Sequence, residues 1–251
     1  MNLVKVRVQF QDDAKWQQEI GCNYKLNDTQ IDVWRINISL NLPFIDTFLK
    51  VLSPDEITRA NKYIHKKDQH RFIISRGVLR LLLSKYTNQL AQAIEFKAGI
   101  NKKPFINQSV LKYNASHSDN WILIAISNTE VGADTEVVDP LFNYKEILAD
   151  NFSPQEICFI EQDQTSNNFF LLWTRKEALT KATGQGLDEN LKYIPCLTGG
   201  HEINDSILSS TRNWLVNSFF LDDKNMAAVV TETQTSNTKF WDLDLKNFTY
   251  F

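Results

Sequence analysis

Cysteine is scarce: the chain has three, Cys22, Cys158 and Cys196, with no CxxC or zinc-like spacing. That argues against a disulfide framework or a thiolate metal cluster and fits reduced thiols in a cytoplasmic protein. Positive charge is not in excess either. The 27 lysines and arginines face 30 aspartates and glutamates, a formal charge of −3, so no global basic field points to a nucleic-acid partner. No apolar run is long enough to span a bilayer, and the opening MNLVKVRVQFQDDAKW lacks the apolar centre of a signal peptide. A membrane partner is therefore not expected. Sequence repeats, low-complexity tracts and an alternating βαβ array are also missing.

What is present suffices for a proper core, with 251 residues of which 43% are hydrophobic, enough for one large domain or two small ones. The near-alternating segment from Ile31 to Leu40 predicts a strand. Ser53 followed by Pro54, Asp55 and Glu56 predicts a helix start, as does Ser153 followed by Pro154. Apolar residues Phe72, Val78, Leu79, Leu82 and Leu83 recur at helical spacing between Asp68 and Tyr86, with Arg71, Arg76 and Arg80 on another face. A further helix runs through NNFFLLWTRKEALTKATGQGL and stops near Gly184 and Gly186. WILIAIS and VGADTEVV, joined by Asn128, Thr129 and Glu130, predict a β-hairpin, and NWLVNSFFLDDKNMAAVVTE predicts another pair of strands. A last strand is expected from Phe240 to Leu243. The class is α+β.

Candidate chemistry centres on acids. Asp134 and Glu136 lie two apart on a predicted strand and share a face, which lets them hold one cation, or equally lets them decorate a solvated strand. Glu177 and Lys181 lie four apart on a predicted helix, either as a plain ion pair or as a third metal carboxylate beside a phosphate-binding lysine. His117 has no second histidine at ligand spacing and is a poor zinc candidate. Its hydroxyl neighbours Ser116 and Ser118, however, offer donors for phosphate oxygens, and a protonated histidine would add charge-assisted strength. Arg71 and Lys103, the latter before Pro104, are further basic candidates.

The segments HKKDQHRF, NKKPFI, YNASHS, VGADTE and WTRKEALTKATGQGL, in that order, resemble the 4′-phosphopantetheinyl transferases of the surfactin-synthetase-activating (Sfp) type over roughly residues 55–190. The resemblance implies two similar α/β halves in a pseudo-twofold arrangement, each a small antiparallel sheet packed by helices. Residues 1–125 would contribute to coenzyme binding, and residues 126–251 would carry the metal acids and a coenzyme-contacting lysine. It also implies an activity: transfer of the 4′-phosphopantetheine arm of coenzyme A to a serine of an apo acyl, polyketide or peptidyl carrier protein, with Mg²⁺, by a monomer. Asp134, Glu136 and Glu177 then match the metal carboxylates, and Lys181 matches the lysine on the coenzyme's phosphates. Arg71, Lys103, Pro104, Ser116 and His117, with Arg59 as a further cation, match the adenosine and phosphate positions. Glu156 matches a position proposed for the base that takes the serine proton, although a first-turn helical glutamate has a simpler use at the helix dipole. The usual Gly-Lys-Pro reads Lys102-Lys103-Pro104 here, Ala133 and Thr135 replace branched apolar residues around the acids, and no motif aligns beyond Glu232. A Mg²⁺-dependent phosphohydrolase or nuclease and an inactive carrier-binding module are the alternatives.

Overall fold

A computed structural model describes residues 2–18, 24–186, 190–235 and 237–246; Cys22 lies outside them. The strands in chain order are β1 (Leu3–Phe10), β2 (Trp16–Gln18), β3 (Gln30–Asn37), β4 (Phe96–Ala98), β5 (Pro104–Ile106) and β6 (Lys112–Ser118), then β7 (Trp121–Ser127), β8 (Val131–Val137), β9 (Gly199–Asn204), β10 (Trp214–Phe220), β11 (Asn225–Glu232) and β12 (Asn237–Asp242). Four helices carry the argument: α1 (Pro54–Ala60), α2 (Lys66–Thr87), α3 (Pro154–Glu161) and α4 (Asn167–Thr183).

Two five-stranded sheets form, in the orders β8-β11-β10-β1-β9 and β2-β12-β3-β7-β6. Most neighbours are antiparallel. The parallel pairs are β1 with β10 and β12 with β2 and β3, so the first strand completes the sheet of the C-terminal half and the last strand completes the other. Each half packs a helix on its sheet, as the α+β class requires.

Strand alternation sets the layers. On β3, Ile31 and Val33 point between the sheets with Val131, Ala133 and Val229, while Trp34 and Ile36 join the core under α2. β7 has apolar neighbours on both faces, and Ile122 to Ile126 are fully buried. That is why it reads as an unbroken apolar run, and each large side chain so buried contributes about 1.5–3 kcal/mol. Among the described residues no helix is long and apolar enough to cross a membrane.

The expected hairpin of WILIAIS with VGADTEVV does not form. β7 pairs with β3 and β6, and β8 pairs with β11 in the other sheet. The link from Asn128 to Glu130 is a crossover between sheets. β8 has another partner on its open edge: Ala133 N donates to Asn114 Oδ1 at 2.9 Å, and Val137 N donates to Ser118 Oγ at 2.9 Å. Side chains of β6 thus replace a backbone ladder where the two sheets meet. The strand expected over residues 31–40 stops at Asn37, whose side chain accepts from Leu40 N and caps a helical turn. β1 went unanticipated, although Val4, Val6 and Val8 alternate in LVKVRVQF and are all buried.

One device appears in both halves, although no repeat shows in the sequence. Ser53 and Glu56 form a capping box at α1, and Ser153 and Glu156 form one at α3. Glu56 Oε2 accepts from Arg80 Nε at 2.7 Å, and Arg80 also donates to Ala91 O and Ile94 O. In the second half Lys176 pairs with Glu156 Oε2 at 3.0 Å and donates to Leu191 O and Ile194 O.

Candidate active site

β8 turns Gly132, Asp134 and Glu136 toward α4, because alternate residues of a strand share a face. Gly132 lets the helix come close: a Cβ there would lie 2.0 Å from Ala178 O and 2.5 Å from Ala182 N. The same closeness brings Glu177 and Lys181, one turn apart on α4, onto the two acids. Lys181 Nζ lies 2.5 Å from Asp134 Oδ1 and 3.2 Å from Glu177 Oε2. From β6, Ser116 Oγ donates to Asp134 Oδ1 at 2.8 Å and Ser118 Oγ donates to Glu136 Oε2 at 2.9 Å. The structure therefore gathers Ser116, Asp134, Glu136, Glu177 and Lys181 from both halves. Asn114 was missed by sequence reasoning, and Ser118, expected only as a phosphate donor beside His117, donates to Glu136 instead.

Burial raises the Asp134 carboxyl above the usual range, and Glu177 and Glu136 add to this against the opposing pull of Lys181. Burial also raises Glu136. Burial alone would lower Lys181, but Asp134 and Glu177 outweigh it and hold the ammonium charged. Such crowding of negative charge suits a cation. Asp134 Oδ2 is buried without a hydrogen-bond partner, so one carboxylate oxygen is left for a metal ion. Among the described residues no three His, Cys, Asp or Glu side chains already form a metal cage. A cation site completed by water and substrate phosphate need not be a closed protein cage.

A cleft of about 510 Å³ opens beside this group. Arg59, Arg71, Lys103, Pro104, His117 and Lys181 all line it. Arg76, Lys102 and Tyr63 do so as well, and sequence reasoning had given them no role there. His117 is held below its ordinary pKa by desolvation and then by Arg71, which disfavours the charged form that a phosphate contact would favour. Lys103 departs from expectation in another way. Its ammonium donates to Glu130 Oε2 at 2.8 Å, Val131 O at 3.3 Å and Ala182 O at 2.7 Å, which uses all three of its donors. It ties the halves together and presents its stem to the cleft. A second cavity of about 970 Å³ shares Asn101, Lys103, Pro104, Tyr113 and Gly184 with the first, so this tether forms their common wall.

Glu156 joins none of this. It is 3% exposed, and its Oε1 accepts from Cys196 N at 3.1 Å and Cys196 Sγ at 2.9 Å, while Oε2 accepts from Ser153 N and Lys176. A carboxylate so occupied in the core is placed to hold α3 rather than to take a substrate proton.

A family model described as the 4′-phosphopantetheinyl transferase superfamily matches residues 130–236, and one for the N-terminal part of a 4′-phosphopantetheinyl transferase matches residues 43–129. A Synechocystis protein bearing the name 4′-phosphopantetheinyl transferase is 32% identical over 184 residues, 67% of this chain and 75% of that one. HetI, a 4′-phosphopantetheinyl transferase of Nostoc, is 29% identical over 227 residues, 87% and 94% of the two chains. The Sfp transferase of Bacillus subtilis is 27% identical over 146 residues, 57% and 64%.

Proposed function

This chain belongs to the 4′-phosphopantetheinyl transferase superfamily, and we propose that it moves the phosphopantetheine arm of coenzyme A to a serine of an apo carrier protein with Mg²⁺ held by Asp134, Glu136 and Glu177. The observation that carries the metal reading is the buried, unpartnered Oδ2 of Asp134 among mutually repelling carboxylates. When bound, Mg²⁺ would neutralise negative charge on the coenzyme's pyrophosphate. Residues 1–125 supply most of the cleft wall and residues 126–251 supply the acids and Lys181, each half borrowing one terminal strand.

The reaction joins the serine oxygen to the phosphorus that carries the pantetheine arm and breaks that phosphorus's bond to the bridging oxygen, which leaves with adenosine 3′,5′-bisphosphate. Lys181 faces the cleft from α4 and offers its charge to the departing phosphate. Arg59, Arg71 and His117 line the same cleft and orient the nucleotide part. With Glu156 occupied in the core, the serine proton would pass to water in the open cleft.

None of the relatives described above bears a nuclease or phosphohydrolase name, and an inert module has no need of three crowded carboxylates. The test is release of adenosine 3′,5′-bisphosphate from coenzyme A in the presence of an apo carrier and Mg²⁺, stopped by a chelator. Release that persists with the metal fully chelated would contradict the assignment of the acids.

A further inference from the structure

We propose that Ser118 is a positioning residue that biases the acid pair toward Mg²⁺ and against Ca²⁺, an inference that rests on the metal reading just given. β6 and β8 are edge strands of different sheets. Asn114, Ser116 and Ser118 alternate along β6, share one face and meet β8 with their side chains. Asn114 Oδ1 accepts from Ala133 N at 2.9 Å, and Ser116 Oγ donates to Asp134 Oδ1 at 2.8 Å. Ser118 Oγ does both: it accepts from Val137 N and donates to Glu136 Oε2, each at 2.9 Å.

A serine hydroxyl has a single proton. The Val137 N–H occupies a lone pair of Ser118 Oγ, which leaves that proton directed at Glu136. Ser116 is set in the same way, with Lys181 Nζ donating to its oxygen at 3.5 Å and Asp134 Oδ1 receiving its proton. The result is alike at both acids. Oδ1 of Asp134 is taken by Ser116 and Lys181, and Oδ2 is buried without a partner. Oε2 of Glu136 is taken by Ser118, and no described side chain donates to its Oε1. Ser118 is itself 8% exposed, so water has little access to compete for its proton. Each acid therefore offers a cation one oxygen, not two.

Ligand number separates the two cations. Ca²⁺ gathers about six to eight oxygens in a flexible shell and takes carboxylates by one oxygen or by both, whereas the smaller Mg²⁺ holds about six and keeps water and phosphate among them. Single oxygens from acids on a tethered strand suit Mg²⁺ and leave Ca²⁺ short of ligands. Without the Ser118 hydroxyl, Glu136 is free to turn both oxygens to the cation. That adds a ligand and loosens the carboxylate, and both changes favour Ca²⁺.

The experiment titrates the wild type, Ser118→Ala and Ser118→Thr calorimetrically with MgCl₂ and with CaCl₂, with and without coenzyme A, and follows the melting temperature at fixed concentrations of each salt. Ser118→Ala removes a single oxygen atom, so the chain should fold, with a lower melting temperature because Val137 N loses its acceptor. We expect the ratio of the Ca²⁺ to the Mg²⁺ dissociation constant to fall about tenfold in Ser118→Ala, the scale of a lost hydrogen bond to a metal ligand. It should return in Ser118→Thr, which keeps the hydroxyl; if the added methyl prevents folding, the alanine ratio decides alone. An unchanged ratio in Ser118→Ala, including the equal weakening of both cations that a merely displaced strand would give, would overturn the role of Ser118 and leave the metal site standing. A wild type that binds neither cation, alone or with coenzyme A, would overturn the metal assignment and this inference with it.

Discussion

At the scale of single residues, the groups proposed to handle the coenzyme are distinct from those that hold the fold. Asp134 belongs to the first: Asp134→Ala should lower kcat/KM by on the order of 100-fold or more through loss of the metal. Its melting temperature should stay within about 4 °C of wild type, the shift given by about 1 kcal/mol at this chain length. A folded, fully active variant would remove the metal assignment. Glu156 belongs to the second group. Glu156→Gln leaves Lys176, which is 0% exposed, without its carboxylate, so stability to urea should fall by about 3 kcal/mol or more while the pH dependence of the rate keeps its shape. Unchanged stability with a displaced pH profile would restore it as the base. His117 gives the pH prediction. Its folded pKa lies below the unfolded value of about 6.5, so the stability it contributes is full above that value and is lost as pH falls through the folded pKa. A phosphate beside it would raise the pKa, so binding should take up protons and coenzyme affinity should rise as pH falls from about 8 to about 6.5. Calorimetry in buffers of different ionisation enthalpy measures the uptake. An equal uptake in His117→Gln would contradict the contact.

At the scale of elements, the site is the contact of one strand with one helix. Gly132→Ala would push the Ala178–Ala182 segment off β8. It should cost at least about 2 kcal/mol and, by separating Glu177 and Lys181 from Asp134, lose activity in excess of the lost stability. A variant with wild-type turnover would show that α4 need not approach so closely. Here the sequence was legible where the signal is local. Serine and proline caps marked α1 and α3, helical spacing marked α2, and the two-residue spacing of Asp134 and Glu136 put them on one face. It was not legible where the partner is distant. Nothing within WILIAIS and VGADTEVV says that the backbone of β8 will be met by Asn114 and Ser118 rather than by β7. Nor could the order of residues show that the lysine before Pro104 would spend all three of its donors on Glu130, Val131 and Ala182.

At the scale of the whole molecule, the two halves are interleaved by their terminal strands, with β1 in the sheet of the second half and β12 in the sheet of the first. The carboxylates come from the second half, and much of the cleft wall, with the serines that orient the acids, comes from the first. A site so divided has its geometry only when both halves are docked, which is why Lys103, Asn101, Ser116 and Ser118 all make their bonds across the junction. The pseudo-twofold arrangement suggested by the family resemblance shows most plainly in the paired Glu56–Arg80 and Glu156–Lys176 devices, which share a serine, a proline and a glutamate but little other sequence. The central claim is that this junction is a Mg²⁺-dependent phosphopantetheinyl transferase. Intact-mass spectrometry of apo carrier proteins incubated with the protein, coenzyme A and Mg²⁺ tests it most directly. The account predicts a gain of one phosphopantetheine, lost when the carrier serine is replaced by alanine, when EDTA is added or when Asp134→Ala is used. No mass gain on any carrier under conditions where coenzyme A binds would contradict it.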